Sequence, residues 1–433
     1  MTDRSKKDRA DAGESSTSTS LLKRLSAGLI TGAADDDPSG IATYSQVGAK
    51  FGYSVLWTMF LTMPLMIAIQ AVSARIGRVT GKGLVDNLQT YYPSWIAYVL
   101  AVMLLVANVI NLGADIGAMG AALKLLIGGP AIAYAVGFAA VSVVLQVFIP
   151  FSRYSPFLKV LTVSLFAYVA TVFVAHVPWM EVLKGTFVPA IQWTPDYAVG
   201  IVAILGTTIS PYLFCWQAAQ EVEELRASDE REPLKKAPEQ GPDAIRRIEV
   251  DTIIGMVFSN AVAFFIILTA AVVLHAHGKT EIQSSADAAA ALQPIAGRFA
   301  TWLFAAGIIG TGLLALPVLA GATAYATAGA LQKPYGLERK PAQAKMFYGV
   351  LVLAMIVGAV LNMTPIDPIK ALYWSAVING VAAVPLMIMV LLLAQNCKAM
   401  GKFVVTGWTR WLAWIATAVM TVAAVVMFAT WGK

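Results

Sequence analysis

The chain has 433 residues, of which 58% are hydrophobic and only 13% are charged, and its formal net charge is +6. This composition excludes both a soluble globular protein and a disordered one, because apolar runs of about 20 residues, long enough to span a bilayer as helices, recur throughout. The positive charge requires no nucleic-acid partner, since basic loops that face anionic lipid account for it.

Eleven apolar segments are predicted to span the membrane. All are interpreted as helices, because the strands of a membrane barrel would alternate polar and apolar residues. Residues 1–20 are polar and are predicted to form a disordered cytoplasmic tail without a cleavable signal peptide. The segments lie near residues 25–47, 52–76, 95–122, 131–150, 156–178, 197–222, 250–275, 298–328, 346–361, 369–395 and 408–430.

The basic residues in the loops predict the orientation. With the N-terminus assigned to the cytoplasm, 24 Lys and Arg residues fall on the cytoplasmic side and 7 on the other, out of the 31 in the chain. Cytoplasmic loops of membrane proteins carry the excess of Lys and Arg. The sequence therefore predicts an integral protein of the cell (inner) membrane, with its N-terminus cytoplasmic and its C-terminus extracytoplasmic.

The first segment is interrupted by the run DDDPSG at residues 35–40. Each acid at the centre of a membrane helix costs roughly 2.5–3.5 kcal/mol on insertion scales. Successive helical side chains also point about 100° apart, so three neighbouring acids cannot all face one cavity. Unwound backbone at membrane depth is tolerated where it lines water inside the protein. We therefore predict a broken first helix that holds a cation.

The sixth segment carries a second interruption, GTTISPY at residues 206–212, where Pro211 removes a helical hydrogen bond. The first and sixth segments begin two halves of five helices each. Because five is an odd number of crossings, the second half enters the membrane from the opposite side. Interrupted helices at matching places in inverted halves are typical of a secondary transporter with its site at the midplane. Pro64, Pro317 and Pro385 are expected only to kink their helices. The predicted units are 21–180 (first repeat), 195–395 (second repeat, with a cytoplasmic loop at 223–249) and 408–430 (an additional helix).

The two interruptions resemble motifs of a known family. Residues 37–40 (DPSG), followed by IAT at 41–43 and GAKFGY at 48–53, resemble the first-helix signature of the NRAMP divalent-metal transporters, which usually reads Asp-Pro-Gly-Asn. Residues 206–212 resemble that family's Gly-Ala-Thr-Val-Met-Pro-His. The resemblance covers nearly the whole chain. It implies an all-α integral membrane protein with a LeuT-type fold, eleven transmembrane helices and two inverted five-helix repeats whose helices 1 and 6 are broken.

The resemblance also implies a metal site. The family uses the first-helix Asp and Asn, the sixth-helix Met, and backbone carbonyls just before each break. The matching positions here are Asp37, Gly40, Ser210, Ala34 and Thr207, and Asp36 is a further candidate that lines the pathway.

Two of these positions depart from the family pattern, and both departures affect which ion the site is expected to prefer. Gly40 has no amide oxygen and Ser210 has no thioether, so the preference for softer transition metals is lost and the cavity is expected to be wider. Mg²⁺ keeps several waters and binds through one or two carboxylates. The pattern is similar to the NRAMP-related branch associated with Mg²⁺ transport, and Mn²⁺ is expected as a second substrate.

Proton coupling is disfavoured by the same comparison. Asp115 matches the helix-three Asp of coupled members, but Ala118 stands where the second acid would be, and Tyr212 and Gln217 replace the sixth-helix histidines. The chain therefore lacks at these positions the residue type best suited to carry protons near neutral pH. A divalent ion crossing 100 mV gains roughly 4.6 kcal/mol, twice the value for one charge. We expect uptake driven by potential and gradient. The pathway candidates are Asp115, Thr208, Tyr212, Gln217 and Asn379.

Simpler roles stay open for several polar residues within the segments. The hydroxyls of Thr207, Thr208 and Ser210 can instead bond to preceding carbonyls and bend the helix. Asn111 and Asn379 can be interhelical hydrogen-bonding residues. The glutamates at 221–224 form either a solvated face or a funnel for cations.

The sequence is compatible with three functions. The first is import of partly hydrated Mg²⁺ and Mn²⁺ by alternating access without obligatory proton coupling. The second is a proton-coupled Mn²⁺/Fe²⁺ symporter. The third is a sodium-coupled symporter of organic solutes, although the acids at 35–37 would repel a carboxylate substrate. An enzyme is not expected, because no nucleophile–base set or phosphate-binding loop occurs. No cofactor is expected either. The expected partners are the transported ion and the lipid membrane, and the protein is expected to be a monomer.

Overall fold

The protein is described here by a computed structural model that covers residues 31–32, 34–151, 153–154, 162–228 and 230–431. The predicted tail at 1–20 lies outside these residues. Within them the regular structure is helical, and no strand occurs. Helices of eight or more residues are numbered α1 Pro38–Phe51, α2 Trp57–Thr80, α3 Leu84–Tyr91, α4 Ser94–Ile127, α5 Ala131–Phe148, α6 Phe166–Val174, α7 Trp179–Phe187, α8 Pro195–Thr208, α9 Pro211–Arg226, α10 Gly241–Val273, α11 Ala300–Ala330, α12 Lys345–Leu361, α13 Pro368–Ala394 and α14 Gly407–Thr430.

Each predicted membrane segment overlaps at least one of these helices. Among the described residues, eight helices are long and apolar enough to cross a membrane, counting α8 and α9 as one. Two shorter apolar helices, Val163–Val174 and Lys345–Leu361, fall in the fifth and ninth segments. The fifth and first segments are described only in part. The total of eleven therefore stays a prediction.

The segment predicted as a cytoplasmic loop, 223–249, is helical at both of its ends. Helix α9 continues to Arg226 and α10 already begins at Gly241. The charged residues at these helix ends are paired: Arg226 with Glu223, and Arg247 with glutamates of α9. These ion pairs satisfy the charged side chains, so α9 and α10 extend beyond the apolar segments into the polar sequence.

Both predicted interruptions are present. Residues 34–35 are helical, the chain bends at Asp36, and Asp37 is extended with φ −69° and ψ 173° before Pro38 starts α1. In the sixth segment α8 ends at Thr208, and Ser210 is extended before Pro211 starts α9. A residue before proline is driven into the extended region, and proline suits the first turn of a helix, where its missing N–H has no partner. Each proline therefore ends one half-helix and starts the next.

The three other prolines singled out in the sequence lie inside unbroken helices, as expected. They are Pro64 in α2, Pro317 in α11 and Pro385 in α13. Proline alone therefore does not break a membrane helix here. The breaks occur where proline follows acids or small polar residues.

The interrupted helices lie at the centre of the bundle. Helix α1 packs against α10, α13 and α8, while α8 packs closely on α13. The contact between α8 and α13 depends on two glycines. A Cβ added to Gly206 would overlap the carbonyl oxygen of Ala376, and one added to Gly380 would lie 2.7 Å from the carbonyl oxygen of Val202. The backbones touch at this crossing, just before the second break.

We expect Gly206→Ala to destabilise the protein. The new methyl group meets backbone atoms of α13, which cannot move aside as a side chain would, and overpacking of this kind costs about 1–3 kcal/mol. The measurement is the Tm of purified full-length protein. The matched control is Gly137→Ala in α5, where a Cβ has open space and the helix gains up to about 1 kcal/mol from the better helix former. Equal Tm values for the two variants would contradict the crossing described here.

Candidate metal site

Asp37 lies in the break of the first helix and caps α1. One carboxylate oxygen, Oδ1, accepts a hydrogen bond from the Ser39 hydroxyl at 2.7 Å and another from the Gly40 amide at 2.7 Å. The side chain is only 1% exposed. An acidic residue at this position satisfies free amides and lies at the positive end of the helix dipole. The start of α1 therefore holds the carboxyl group in a fixed place inside the bundle.

The other oxygen of Asp37 contacts two more helices. Its Oδ2 accepts hydrogen bonds from Asn111 Nδ2 in α4 at 3.3 Å and from the Tyr212 hydroxyl in α9 at 3.1 Å. Asn111 in turn accepts from the Ser375 hydroxyl in α13 at 2.7 Å. One network thus joins α1, α4, α9 and α13 at Asp37. Tyr212 was expected in the pathway, Asn111 was expected to join helices, and Ser375 was not anticipated.

The predicted carbonyl ligands both accept hydrogen bonds. The Ala34 carbonyl accepts from the Tyr212 hydroxyl at 3.3 Å. The Thr207 carbonyl accepts from the Ser210 hydroxyl at 2.8 Å, and Ser210 also reaches the Gly206 carbonyl at 2.9 Å. Ser210 thus bonds to preceding carbonyls, the simpler role left open by the sequence. In this conformation its oxygen is turned toward Thr207.

Thr208 takes the same simpler role. Its hydroxyl donates to the Ile204 carbonyl at 2.9 Å, within its own helix. Such bonds satisfy the hydroxyl inside the membrane and can bend the helix. The structure therefore does not bring the Thr208 side chain to Asp37 through a hydrogen bond.

The space beside Gly40 is filled, contrary to the expectation of a wider cavity. A Cβ at this position would lie 3.2 Å from Thr207 Oγ1, 3.3 Å from the Asp35 carbonyl oxygen and 3.4 Å from Tyr44 Cε2. The resembled family has alanine where this chain has Thr207. The larger threonine occupies the room that the missing side chain at Gly40 leaves, so the loss of the amide does not open the site on this side.

Three further carboxylates are completely buried near the break: Asp35, Asp36 and Asp115. Asp35 accepts a hydrogen bond from the Ser259 hydroxyl in α10 at 2.6 Å. Both oxygens of Asp36 and both of Asp115 lack a well-formed hydrogen bond within the described ranges, although the Ser39 amide faces Asp115. No salt bridge to these acids occurs in the described chain.

The remaining pathway candidates are buried in the same region. Gln217 in α9 accepts a 2.5 Å hydrogen bond from Thr31, which precedes the first break. Asn379 in α13 is 1% exposed, and its side-chain oxygen has no partner among the described residues. Every candidate ligand is therefore closed off from solvent in this conformation.

The glutamates at the end of α9 are not a solvated face. Glu221 and Glu223 are buried. Arg247 of α10 contacts Glu221 at 2.5 Å and Glu224 at 2.9 Å, and Arg226 contacts Glu223 at 3.2 Å. This pairing was not predicted from the sequence, because Arg247 lies far along the chain from the glutamates. The ion pairs fasten α9 to α10 at this end of the bundle.

The acids at the breaks do not form a dense metal cluster. Among the described residues no three His, Cys, Asp or Glu side chains are placed to hold one ion together. A site with one or two carboxylates, neutral oxygens and water is typical of hard divalent cations. A zinc site with several protein ligands, by contrast, is not present in this part of the chain.

We expect Tyr212→Phe to weaken binding of divalent cations without unfolding the protein. The hydroxyl is the link between Asp37 and the Ala34 carbonyl, and a hydrogen bond to a charged group contributes about 1.5–3 kcal/mol. The expected affinity loss is thus about tenfold or more, measured by titration calorimetry with Mg²⁺. Tyr154→Phe is the control, because the Tyr154 hydroxyl is buried without a partner in the described structure. Equal losses in both variants would argue against the Asp37 network.

Solved structures with a similar fold include two transporters and a third protein, MhsT. A manganese transporter from Eremococcus coleocola matches with a TM-score of 0.73 and 18% identity, covering 96% of this chain and 88% of that one. Mhp1, a nucleobase-cation symporter, matches at 0.61 and 12%, covering 94% and 92%. MhsT in complex with L-phenylalanine matches at 0.60 and 11%, covering 94% and 98%. They confirm the all-α, LeuT-type fold.

Curated proteins match along most of their length. A divalent metal cation transporter, MntH, from Mesorhizobium japonicum is 27% identical over 414 residues, covering 93% of this chain and 87% of the relative. MntH from Klebsiella pneumoniae subsp. pneumoniae is 25% identical over 395 residues, covering 89% and 88%.

The family comparison covers both interruptions and all the candidate ligands. The profile described as "Natural resistance-associated macrophage protein-like" matches residues 28–430. This range is nearly the whole chain and includes every described helix. The family consists of transporters and not of enzymes. The chain therefore belongs to the Nramp family.

Proposed function

We propose that this protein imports divalent cations, Mg²⁺ and secondarily Mn²⁺, as partly hydrated ions by alternating access. The observation that carries the proposal is the placement of Asp37 between two interrupted helices, where α1, α4 and α9 all contact its carboxylate. The curated relatives are named divalent metal cation transporters. Membership in their family supports the same class of substrate here.

The preference for Mg²⁺ rests on what surrounds Asp37. The side chains at the second break are hydroxyls, since Ser210 and Thr207 stand there, and a hydroxyl is a harder ligand than a thioether. Gly40 offers no amide oxygen, so fewer protein atoms replace the water bound to the ion. An ion that releases its water reluctantly is favoured by such a site.

We propose that transport is driven by the membrane potential without obligatory proton symport. Tyr212 and Gln217 hold the positions expected for histidines, and both take part in hydrogen bonds to the first segment. The three histidines of the chain lie elsewhere, at positions 176, 275 and 277. We place the protein in the inner membrane as a monomer, with a cytoplasmic N-terminus because of the basic loops.

The test uses purified protein in liposomes with a Mg²⁺ indicator and a pH indicator inside. We expect Mg²⁺ influx that rises with an inside-negative potential, without matched acidification of the interior. Mn²⁺ is expected to enter and to compete with Mg²⁺. Failure of both ions to enter at any potential would contradict the transport function. Acidification in proportion to Mg²⁺ influx would contradict the uncoupled mechanism alone.

A proton-coupled Mn²⁺ symporter is the second candidate, and one observation favours it. Asp115 is a buried carboxylate beside Asp37 without a well-formed hydrogen bond in the described chain, so it is placed to accept a proton. The structural relative from Eremococcus coleocola is named a manganese transporter. Influx of Mn²⁺ with stoichiometric acidification, removed by Asp115→Asn, would select this alternative.

A further inference from the structure

Four carboxylates are buried around the first break, and no basic side chain pairs with them in the described structure. They are Asp35, Asp36, Asp37 and Asp115, each 0–1% exposed. An uncompensated buried charge costs several kcal/mol. One divalent ion carries two positive charges, so a single Mg²⁺ at Asp37 balances only half of the negative charge. The remainder needs a second cation or protons.

Asp35 and Asp37 face different helices of the bundle. Asp35 accepts a hydrogen bond from Ser259 of α10, and Asp36 follows Asp35 directly in the chain. Asp37 instead accepts hydrogen bonds from Asn111 of α4 and Tyr212 of α9. No three of these side chains are placed to hold one ion. The geometry thus favours two separate positions over one shared position.

The α10 side has several buried oxygens without partners. Oδ1 of Asp35 and both oxygens of Asp36 have no hydrogen bond from the described residues. The hydroxyl of Tyr44 is also buried without a well-formed hydrogen bond there, and the Tyr44 ring lies close to the Asp35 carbonyl beside Gly40. Buried polar atoms nearly always have partners. Unsatisfied oxygens on two adjacent carboxylates and on a nearby hydroxyl indicate a position for a bound cation.

We propose that Asp35, Asp36, Ser259 and Tyr44 form a second divalent-cation site, distinct from the one at Asp37. Its ligands are carboxylates and hydroxyls, so it takes a hard ion such as Mg²⁺ or Mn²⁺. The inference rests on the proposed function of the Asp37 site and adds a second ion to it. Asp36 then belongs to this second site and not to the ligands of the first.

The number of bound ions tests the proposal. Full-length protein in detergent is titrated with Mn²⁺, and free Mn²⁺ is counted by electron paramagnetic resonance. We expect two ions per chain in the wild type, one in Asp36→Asn, one in Asp37→Asn and none in the double variant. One ion per chain in the wild type that is lost in Asp37→Asn would overturn the second site while the transport proposal stands. No bound ion in the wild type would instead contradict the transport proposal.

A milder variant keeps the test valid if the Asp36 variant fails to fold. Ser259→Ala removes one neutral oxygen and leaves every charge in place, so the second ion is expected to bind about tenfold more weakly while the first is unchanged. Ser142→Ala is the matched control, because Ser142 is a buried serine of α5 whose hydroxyl accepts from Gln146. Identical binding curves for Ser259→Ala and wild type would overturn the assignment, as would loss of the first ion alone.

Discussion

Asp37→Ala is expected to abolish Mg²⁺ uptake and to reduce Mg²⁺ affinity at the site by at least about a hundredfold. The variant removes the carboxylate, which leaves Asn111 Nδ2 without its acceptor and the Tyr212 hydroxyl with only the Ala34 carbonyl. It also removes the cap of α1, which alone contributes about 1 kcal/mol. Loss of a charged acceptor from buried donors adds about 1.5–3 kcal/mol for each bond. Titration calorimetry with Mg²⁺ and liposome uptake measure the two effects.

The controls separate charge from structure. Asp37→Asn keeps an acceptor for the Gly40 amide but loses the charge, so the helix start is preserved while the ion is not attracted. Asp243→Asn removes an acid from the exposed first turn of α10 and is expected to bind Mg²⁺ as the wild type does. Wild-type Mg²⁺ affinity in a folded Asp37→Asn variant would rule out Asp37 as the principal ligand.

The interrupted helices were predictable from local chemistry. Proline dictates the conformation of the residue before it and is favoured in the first turn of the next helix, so the breaks at Pro38 and Pro211 follow from the sequence itself. Adjacent acids exclude a continuous membrane helix at 35–37 for an energetic reason. The positions of Asp37 and Tyr212 at the break were likewise inferred from a motif.

The partners of these residues were not predictable, because they depend on which helices meet. Asn111 and Ser259 are polar residues in long apolar spans, a weak signal without knowledge of the helix face. Only packing brings Asn111 to Asp37 and Ser259 to Asp35. The burial of Glu221 similarly depends on Arg247, 26 residues away. Hydrophobic periodicity gives the location of spans but not their rotation or contacts.

Gly40 and Thr207 differ from the family pattern in a compensating way: one is smaller and the other is larger than the family's residue. Family members combine an amide side chain in the first helix with alanine in the sixth. Here the side chain is missing at Gly40, and the larger Thr207 fills the space, with its Oγ1 3.2 Å from the absent Cβ. Gly40→Asn alone therefore inserts an amide into occupied space, and we expect it to impair folding or transport without a gain for Mn²⁺.

The triple variant Gly40→Asn, Thr207→Ala, Ser210→Met is expected to switch the ion preference. Alanine makes room for the amide. Methionine removes the hydroxyl that now donates to the Thr207 carbonyl, so that carbonyl becomes free to bind an ion. A thioether and an amide together favour a dehydrated softer ion. We expect the ratio of Mn²⁺ to Mg²⁺ affinity to rise about 10–100-fold, which corresponds to about 1.4–2.8 kcal/mol.

Competition between Mn²⁺ and Mg²⁺ in liposome uptake measures this change, and Cd²⁺ serves as the softest probe. Cys397→Met adds a thioether at an exposed position beyond α13, far along the chain from both breaks, and is expected to leave the ratio unchanged. If the triple variant folds and still prefers Mg²⁺ as the wild type does, the side chains at the two breaks do not determine the choice of ion. Selectivity would then reside in the buried acids Asp35, Asp36 and Asp115, which the exchange leaves untouched.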